Sequence, residues 1–125
     1  MSDLFQAMTA SSSGLQAQAM RLRHSAENIA NSDTPGYRRK LLSFDATDAG
    51  GVETGKTRLD RAELQRIYAP GHPLADETGF YDGSNVDLVI EIADAREAQR
   101  SYEANLRIFD QARQMSQSLF DLIRK

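Results

Sequence analysis

The chain of 125 residues has no cysteine, three prolines and two histidines. Without cysteine there are no disulfides and no thiolate metal sites, and the redox compartment is left open. The three prolines, Pro35, Pro70 and Pro73, all fall in the central stretch, so both ends are free of the strongest helix breaker. No uninterrupted apolar run is long enough to span a bilayer, which argues against direct membrane insertion. An excess of positive charge is also missing, since the formal net charge is -3. Residues 1–40 are mildly basic, 41–86 acidic and the rest almost balanced, a distribution unlike that of a nucleic-acid binder. The opening Met1-Ser2-Asp3-Leu4 lacks a basic n-region and an apolar h-region, so no cleaved signal peptide is expected.

The chain does have two amphipathic ends. Met8, Leu15, Leu22 and Ile29 recur at seven-residue spacing, beside a mostly small stripe of Phe5, Ser12, Ala19 and Ala26 that allows close helix approach. Toward the C-terminus Leu88, Ile92, Ala95, Tyr102, Leu106, Phe109, Ala112, Ser116, Leu119 and Ile123 follow at helical spacings. Each stripe needs covering, and the nearest cover is the other end of the same chain. Two long helices bury little core per residue, so surplus apolar surface should seek other subunits. Met8, Leu15, Leu22, Ile29, Leu88, Ile92, Tyr102, Leu106, Phe109 and Leu119 are therefore the expected helix–helix and subunit interface.

Ser2 or Asp3 caps the first helix, which runs to about Ala30; Gly14 and the serine triplet Ser11-Ser12-Ser13 weaken its middle. It stops at Asn31-Ser32-Asp33-Thr34-Pro35-Gly36, where Pro35 forces Thr34 out of helical geometry and Pro35-Gly36 suits the centre of a type II turn. Between residues 37 and 85 the pattern predicts strands at 39–44 and 64–68 and a third at 79–81, separated by Gly50-Gly51, Gly55, the Pro70 to Pro73 segment and Asp82-Gly83. Ser84 to Asp87 read as a capping box opening a second helix that runs on without glycine or proline. The expected fold is mainly α: two long terminal helices paired as an antiparallel coiled coil, with an extended β-hairpin-like middle arm. Residues 1–34 and 85–125 form the paired-helix core and 35–84 the arm. At 1.5 Å per residue the helices would reach roughly 40 to 45 and 55 to 60 Å, a rod rather than a ball.

Residues that could carry chemistry are few. His72, Asp76 and Glu77 have the types found in metal or acid/base sites, but His24 is the only other histidine and lies beyond the Pro35 turn. Solvated loop residues are the stronger reading, and no metal or cofactor is expected. The serines lack a nucleophile elbow or a base-bearing motif and read as small packing residues. Arg38-Arg39-Lys40 is the one basic cluster, compatible with phosphate contact but short for nucleic acid. Glu97/Arg100, Glu103/Arg107 and Asp110/Arg113 are helix-surface charge pairs worth a few tenths of a kcal/mol each. The enzyme reading requires His72, Asp76 and Glu91 to converge. A helical adaptor is the other alternative.

The run Asn28-Ile29-Ala30-Asn31-Ser32-Asp33-Thr34-Pro35-Gly36-Tyr37 resembles the N-terminal signature of bacterial flagellar rod and hook proteins, an Asn-x-Ala-Asn helix end followed by a short turn and an aromatic residue. His72-Pro73, Ala75-Asp76, Gly79-Phe80, Asn85-Val86, Glu91, Asp94 and Arg100-Ser101-Tyr102-Glu103-Ala104-Asn105 extend the resemblance to the proximal rod proteins. The short Thr34 to Tyr37 turn is shared with sister rod proteins. The family motif and turn positions are thus Asn28, Ala30, Asn31, Thr34, Pro35, Gly36, Tyr37, Asn85, Glu91, Asp94, Arg100 and Asn105. The resemblance implies a non-enzymatic structural subunit, helically assembled in the periplasmic rod of the flagellar basal body, that transmits torque and encloses the export channel. Its implied partners are further copies of itself, the rod proteins FlgB, FlgF and FlgG, the rod-base protein FliE and the flagellar type III export apparatus, which needs no cleaved signal.

Overall fold

A computed structural model describes residues 2–124. Two helices dominate it, α1 (Ser2–Ala30) and α2 (Leu88–Arg124), packed antiparallel with most of the tertiary contact between them. Their 29 and 37 residues correspond to about 44 and 55 Å at 1.5 Å per residue. Among the described residues, no helix is long and apolar enough to cross a membrane.

The first helix ends for identifiable reasons. The Asn31 side-chain amide donates to the Glu27 carbonyl at 2.8 Å, and Thr34 Oγ1 donates to Asn31 Oδ1 at 3.1 Å. Gly36 then takes φ 76°, and the Tyr37 N–H returns to the Thr34 carbonyl at 3.2 Å, closing a turn with Pro35-Gly36 at its centre. The Gly36 N–H is shared between the carbonyls of Asp82 and Gly83 at 3.2 and 3.1 Å, tying the exit of α1 to the entry of α2.

The start of α2 differs from the sequence expectation. Asp87 Oδ1 accepts the Val89 N–H at 3.0 Å, so Asp87 is the cap. Ser84 instead donates its hydroxyl to the Ser32 carbonyl and accepts the Val86 N–H at 3.3 Å. It is a strut between the two chain crossings, out of reach of the helix end.

Six short strands make up the middle. β1 (Lys40–Leu41) pairs with β4 (Arg58–Leu59), and between them β2 (Phe44–Ala46) pairs with β3 (Val52–Thr54), giving one long interrupted hairpin. β5 (Arg66–Tyr68) and β6 (Phe80–Asp82) form a second hairpin, also antiparallel. The pieces at 52–54 and 58–59 escape sequence reading because they are too short and too exposed to alternate apolar with polar residues.

The long hairpin lies along α1. Ser13 Oγ accepts the Val52 N–H at 2.9 Å, and His24 Nε2 bonds Thr57 Oγ1 at 2.9 Å. The serine stretch that weakens the helix intrinsically is therefore where the arm is fastened.

The helix seam uses small residues. Ser11, Gly14, Ala17, Ser25 and Asn28 of α1 face Glu91, Ala98, Ala112 and Ser116 of α2, all buried. A Cβ on Gly14 would lie 2.8 Å from the Asn105 amide, so glycine there admits the second helix. Asn28 meets Glu91 in the same way, two heptads further along both helices, so the pairing keeps coiled-coil register.

The turn predicts an asymmetry between two glycines. At Gly36 nothing crowds a Cβ, so Gly36→Ala acts through its left-handed backbone and should lower unfolding free energy by about 1 to 2 kcal/mol. Gly71→Ala, in open space at ordinary φ, should change it by less than about 0.5 kcal/mol. Denaturant unfolding of both variants checks this; equal stabilities would contradict the turn assignment.

Candidate functional site

The chemistry-bearing side chains gather where the arm leaves the helices. Glu91, on the first turn of α2, is 1% exposed, and a buried carboxylate is tolerable only when paired and hydrogen-bonded. Its Oε1 accepts from Arg39 Nε at 2.6 Å and from Asn28 Nδ2 at 3.2 Å. Arg39 follows the Pro35-Gly36 turn directly, which brings its guanidinium under α2. There it also reaches Asp60 and Asp94, each at 3.5 Å. Burial opposes its charge most strongly, yet the Glu91 hydrogen bond with the Asp60 and Asp94 charges holds it protonated beyond the ordinary arginine range.

Asn28 uses its whole amide. Nδ2 donates to Glu91 and to the Lys40 carbonyl at 3.2 Å, while Oδ1 accepts the Tyr37 hydroxyl at 2.7 Å and the Lys40 N–H at 2.8 Å. Burial pushes the Tyr37 hydroxyl pKa up, which keeps it protonated as that donor. Asn85 closes the knot: its Oδ1 accepts the Arg39 N–H at 2.7 Å, and its Nδ2 donates to the carbonyls of Asp60 and Ala62 at 3.0 and 3.1 Å. Helix α1, the turn, the arm root and helix α2 are thus joined through one set of saturated hydrogen bonds.

Beside the knot lies a cleft of about 320 Å³, lined by Arg21, His24, Arg39, Lys40, Glu91 and Asp94 among others. Its charges are already engaged: Arg21 with Asp94 and Glu97, Lys40 with Glu27. The Lys40 hydrogen bond lowers the Glu27 pKa and raises its own. His24 bonds Thr57 through Nε2 and leaves its buried Nδ1 without a partner among the described residues, while the charged groups are committed to one another and fix geometry.

The motif residues divide. Asn28, Tyr37, Asn85, Glu91 and Asp94 converge on Arg39 or Asn28, and Asn31, Thr34, Pro35 and Gly36 build the turn. Ala30 and Arg100 are exposed and stand apart from the knot. Asn105 docks on Gly14 and donates to the Ser101 carbonyl at 3.1 Å. Met8, Leu15, Leu22, Ile29, Tyr102 and Phe109 are half-buried, whereas Leu88, Ile92, Leu106 and Leu119 are exposed in the single chain. His72 stacks on Tyr81 with ring centroids 4.0 Å apart, and Asp76 accepts from Thr78, Arg66 and Phe80. Those bonds, Thr78's first, hold the Asp76 carboxyl well below the usual range. His72, Asp76 and Glu91 thus have separate partners rather than a common site.

Sequence reading passed over Arg39 as one of three consecutive cations and Ala98, 0% exposed, because alanine counts for little beside leucine. The signal for Arg39 is its position just after the Pro35-Gly36 turn, which returns the chain beneath the start of α2.

Comparison with known proteins agrees with this architecture. The family described as flagella basal body rod protein matches residues 8–38, and that described as flagellar basal body rod FlgEFG protein C-terminal matches residues 77–122. A flagellar basal-body rod protein FlgC of Agrobacterium fabrum is 44% identical over 124 residues, covering 90% of this chain and 89% of its own. The FlgC of Salmonella typhimurium is 35% identical over 82% of this chain and 85% of its own, and that of Aquifex aeolicus 32% over 97% and 98%. The chain belongs to the flagellar basal-body rod protein family, among its FlgC-like members. It is a structural subunit of the rod, located in the flagellar basal body with other rod proteins.

The knot predicts unequal costs for neighbouring cations. Arg39→Ala strands the buried Glu91 carboxylate and should cost about 3 to 5 kcal/mol. Lys40→Ala removes only a solvent-screened pair with Glu27 and should cost far less than Arg39→Ala. Urea titration of the two variants measures both; equal losses would contradict the hub at Glu91.

Proposed function

We propose that this chain is a proximal-rod subunit that stacks helically with its own copies and with FlgB, FlgF, FlgG and FliE, transmitting motor torque and leaving a central channel. The paired helices, residues 1–34 and 85–125, form its core domain and 35–84 the arm that contacts neighbours. In this reading the subunit works in the periplasm, reaches it through the flagellar type III apparatus without a cleaved signal, and needs no cofactor, metal or enzymatic step.

One observation carries the assembly reading. Among the described residues the buried apolar side chains are Ala17, Val86, Ala98 and Ala112, while Leu88, Val89, Ile90, Ile92, Leu106, Ile108, Leu122 and Ile123 of α2 are all exposed. Apolar exposure on that scale along one helix marks a surface built for other proteins. Half-buried Met8, Leu15, Leu22, Ile29, Tyr102 and Phe109 border it, and contacts of this open, heterologous kind propagate a helix instead of closing a dimer.

Motility separates the apolar faces from the charged one. Leu106→Asp, at a position 41% exposed in the chain, should leave helicity and export intact. It should abolish swimming, because burying the carboxylate between subunits costs several kcal/mol. Leu22→Asp should likewise stop swimming, and basal bodies should arrest before the distal rod. Arg113→Ala, whose Asp110 partner is also exposed, should swim normally. Swimming by both leucine variants would overturn the assembly reading.

A further inference from the structure

The long hairpin carries opposite charges at its two ends, and neither end is neutralised among the described residues. At the tip, Asp45, Asp48 and Glu53 are exposed and have no cation within ion-pair distance among the described residues. Asp45 and Glu53 are direct cross-strand partners, an arrangement of like charges that weakens a ladder. At the root, Arg38, Arg58 and Arg61 line an open groove of about 790 Å³ with Leu41 and Leu59. Arg38 donates only to the backbone carbonyls of Asp60 and Ala62, and none of the three arginines has a carboxylate partner among the described residues. Leu59 beside them is 57% exposed.

Tip and root form no ion pair with each other among the described residues. From the Leu41/Arg58 pair the strands run about 13 to 17 Å to Asp45 and Glu53 at 3.3 Å per residue, and further to Asp48, beyond the screening length of about 10 Å at 0.1 M salt. A second molecule can bring them together. The hairpin also lies almost wholly outside the segments matching the two rod families, residues 8–38 and 77–122.

We propose that the acidic hairpin tip of one copy docks in the arginine-lined groove at the hairpin root of a second copy. One side of the tip rests on α1 through Ser13, and its apex, Asp48-Ala49-Gly50, is exposed and carries no bulky side chain. Docking sets the three carboxylates against the three guanidiniums and relieves the Asp45/Glu53 repulsion. Because donor and acceptor surfaces differ, the contact is head-to-tail and each copy keeps one of each for a further neighbour. This rests on the reading that copies adjoin in the rod and assigns the arm its partner there.

The lack of native cysteine gives a direct test with the full chain. Ala49→Cys at the tip and Ala62→Cys at the root are mixed at high concentration and oxidised, and disulfide-linked dimers are counted. Tip-to-root dimers should exceed tip-to-tip and root-to-root dimers by about fivefold or more, and the excess should fall between 0.05 and 0.5 M salt, estimates set by surface electrostatics. Arg58→Glu with Arg61→Glu on the root chain should remove the excess, and Asp45→Lys with Asp48→Lys on the tip chain should restore it, with circular dichroism confirming unchanged helix content. Statistical pairing, or an excess insensitive to salt and to charge reversal, would overturn the proposal. So would pelleting with phosphatidylglycerol vesicles without preferential tip-to-root linkage, which would assign the groove to an anionic lipid surface. Such a failure would leave the rod reading standing, because swimming of the Leu106→Asp strain tests that independently of the hairpin.

Discussion

A single buried carboxylate organises this molecule. Glu91 has almost no access to water, and its charge is tolerable only because Arg39 and Asn28 both bond the same oxygen. Each requirement reaches into a different part of the chain. Asn28 must lie at the last turn of α1, so the helix has to end soon after it. Arg39 must return beneath α2, so the turn at Pro35-Gly36 must reverse the chain in four residues. The cap at Asp87 must start α2 just before Glu91, or the carboxylate would point elsewhere. Remove the pairing and the two helices and the arm lose their shared reference point.

The rest of the packing follows from how lean the seam is. With serine, glycine and alanine between the helices, the backbones approach closely but bury little apolar area, and hydrophobic stabilisation scales with that area. Several large apolar residues of α2, among them Val89, Ile90, Ile108, Leu122 and Ile123, lie outside the seam and are uncovered in the single chain. Polar bonding fixes the geometry of the subunit, while much apolar surface stays exposed in the single chain. A subunit folded by a saturated polar knot can be specific in shape while remaining modest in stability, a combination suited to a part that completes its core on assembly.

The long-range plan was legible in the sequence because it rests on strong local rules. Heptad recurrence, a proline-glycine stop and an uninterrupted second amphipathic stretch point to two paired helices and to the end of the first, and Gly36 announces its turn by type. Less legible were features that depend on where distant residues meet. Ser84 was read as a cap from its spacing, but tertiary contact with Ser32 claims its hydroxyl and leaves Asp87 to the helix. Gly14 is a weakness by helix propensity, but Asn105 fills the space it leaves. Arg39 lay in a run of three cations that composition cannot rank. Two of the six strands lacked any periodicity to reveal them. Which large apolar residues face the partner helix and which face outward likewise depends on register, and the small residues that win the seam are those a hydrophobicity scale weights least.

The central claim is that the two helices are coupled through the Asn28–Glu91 contact rather than merely adjacent. A double-mutant cycle tests it most directly: Asn28→Ala, Glu91→Ala and the double variant, each unfolded in urea. The account predicts that the second substitution costs much less once the first is made, with a coupling energy of about 1 to 3 kcal/mol. Additivity within about 0.5 kcal/mol would contradict it, since independent sites behave that way.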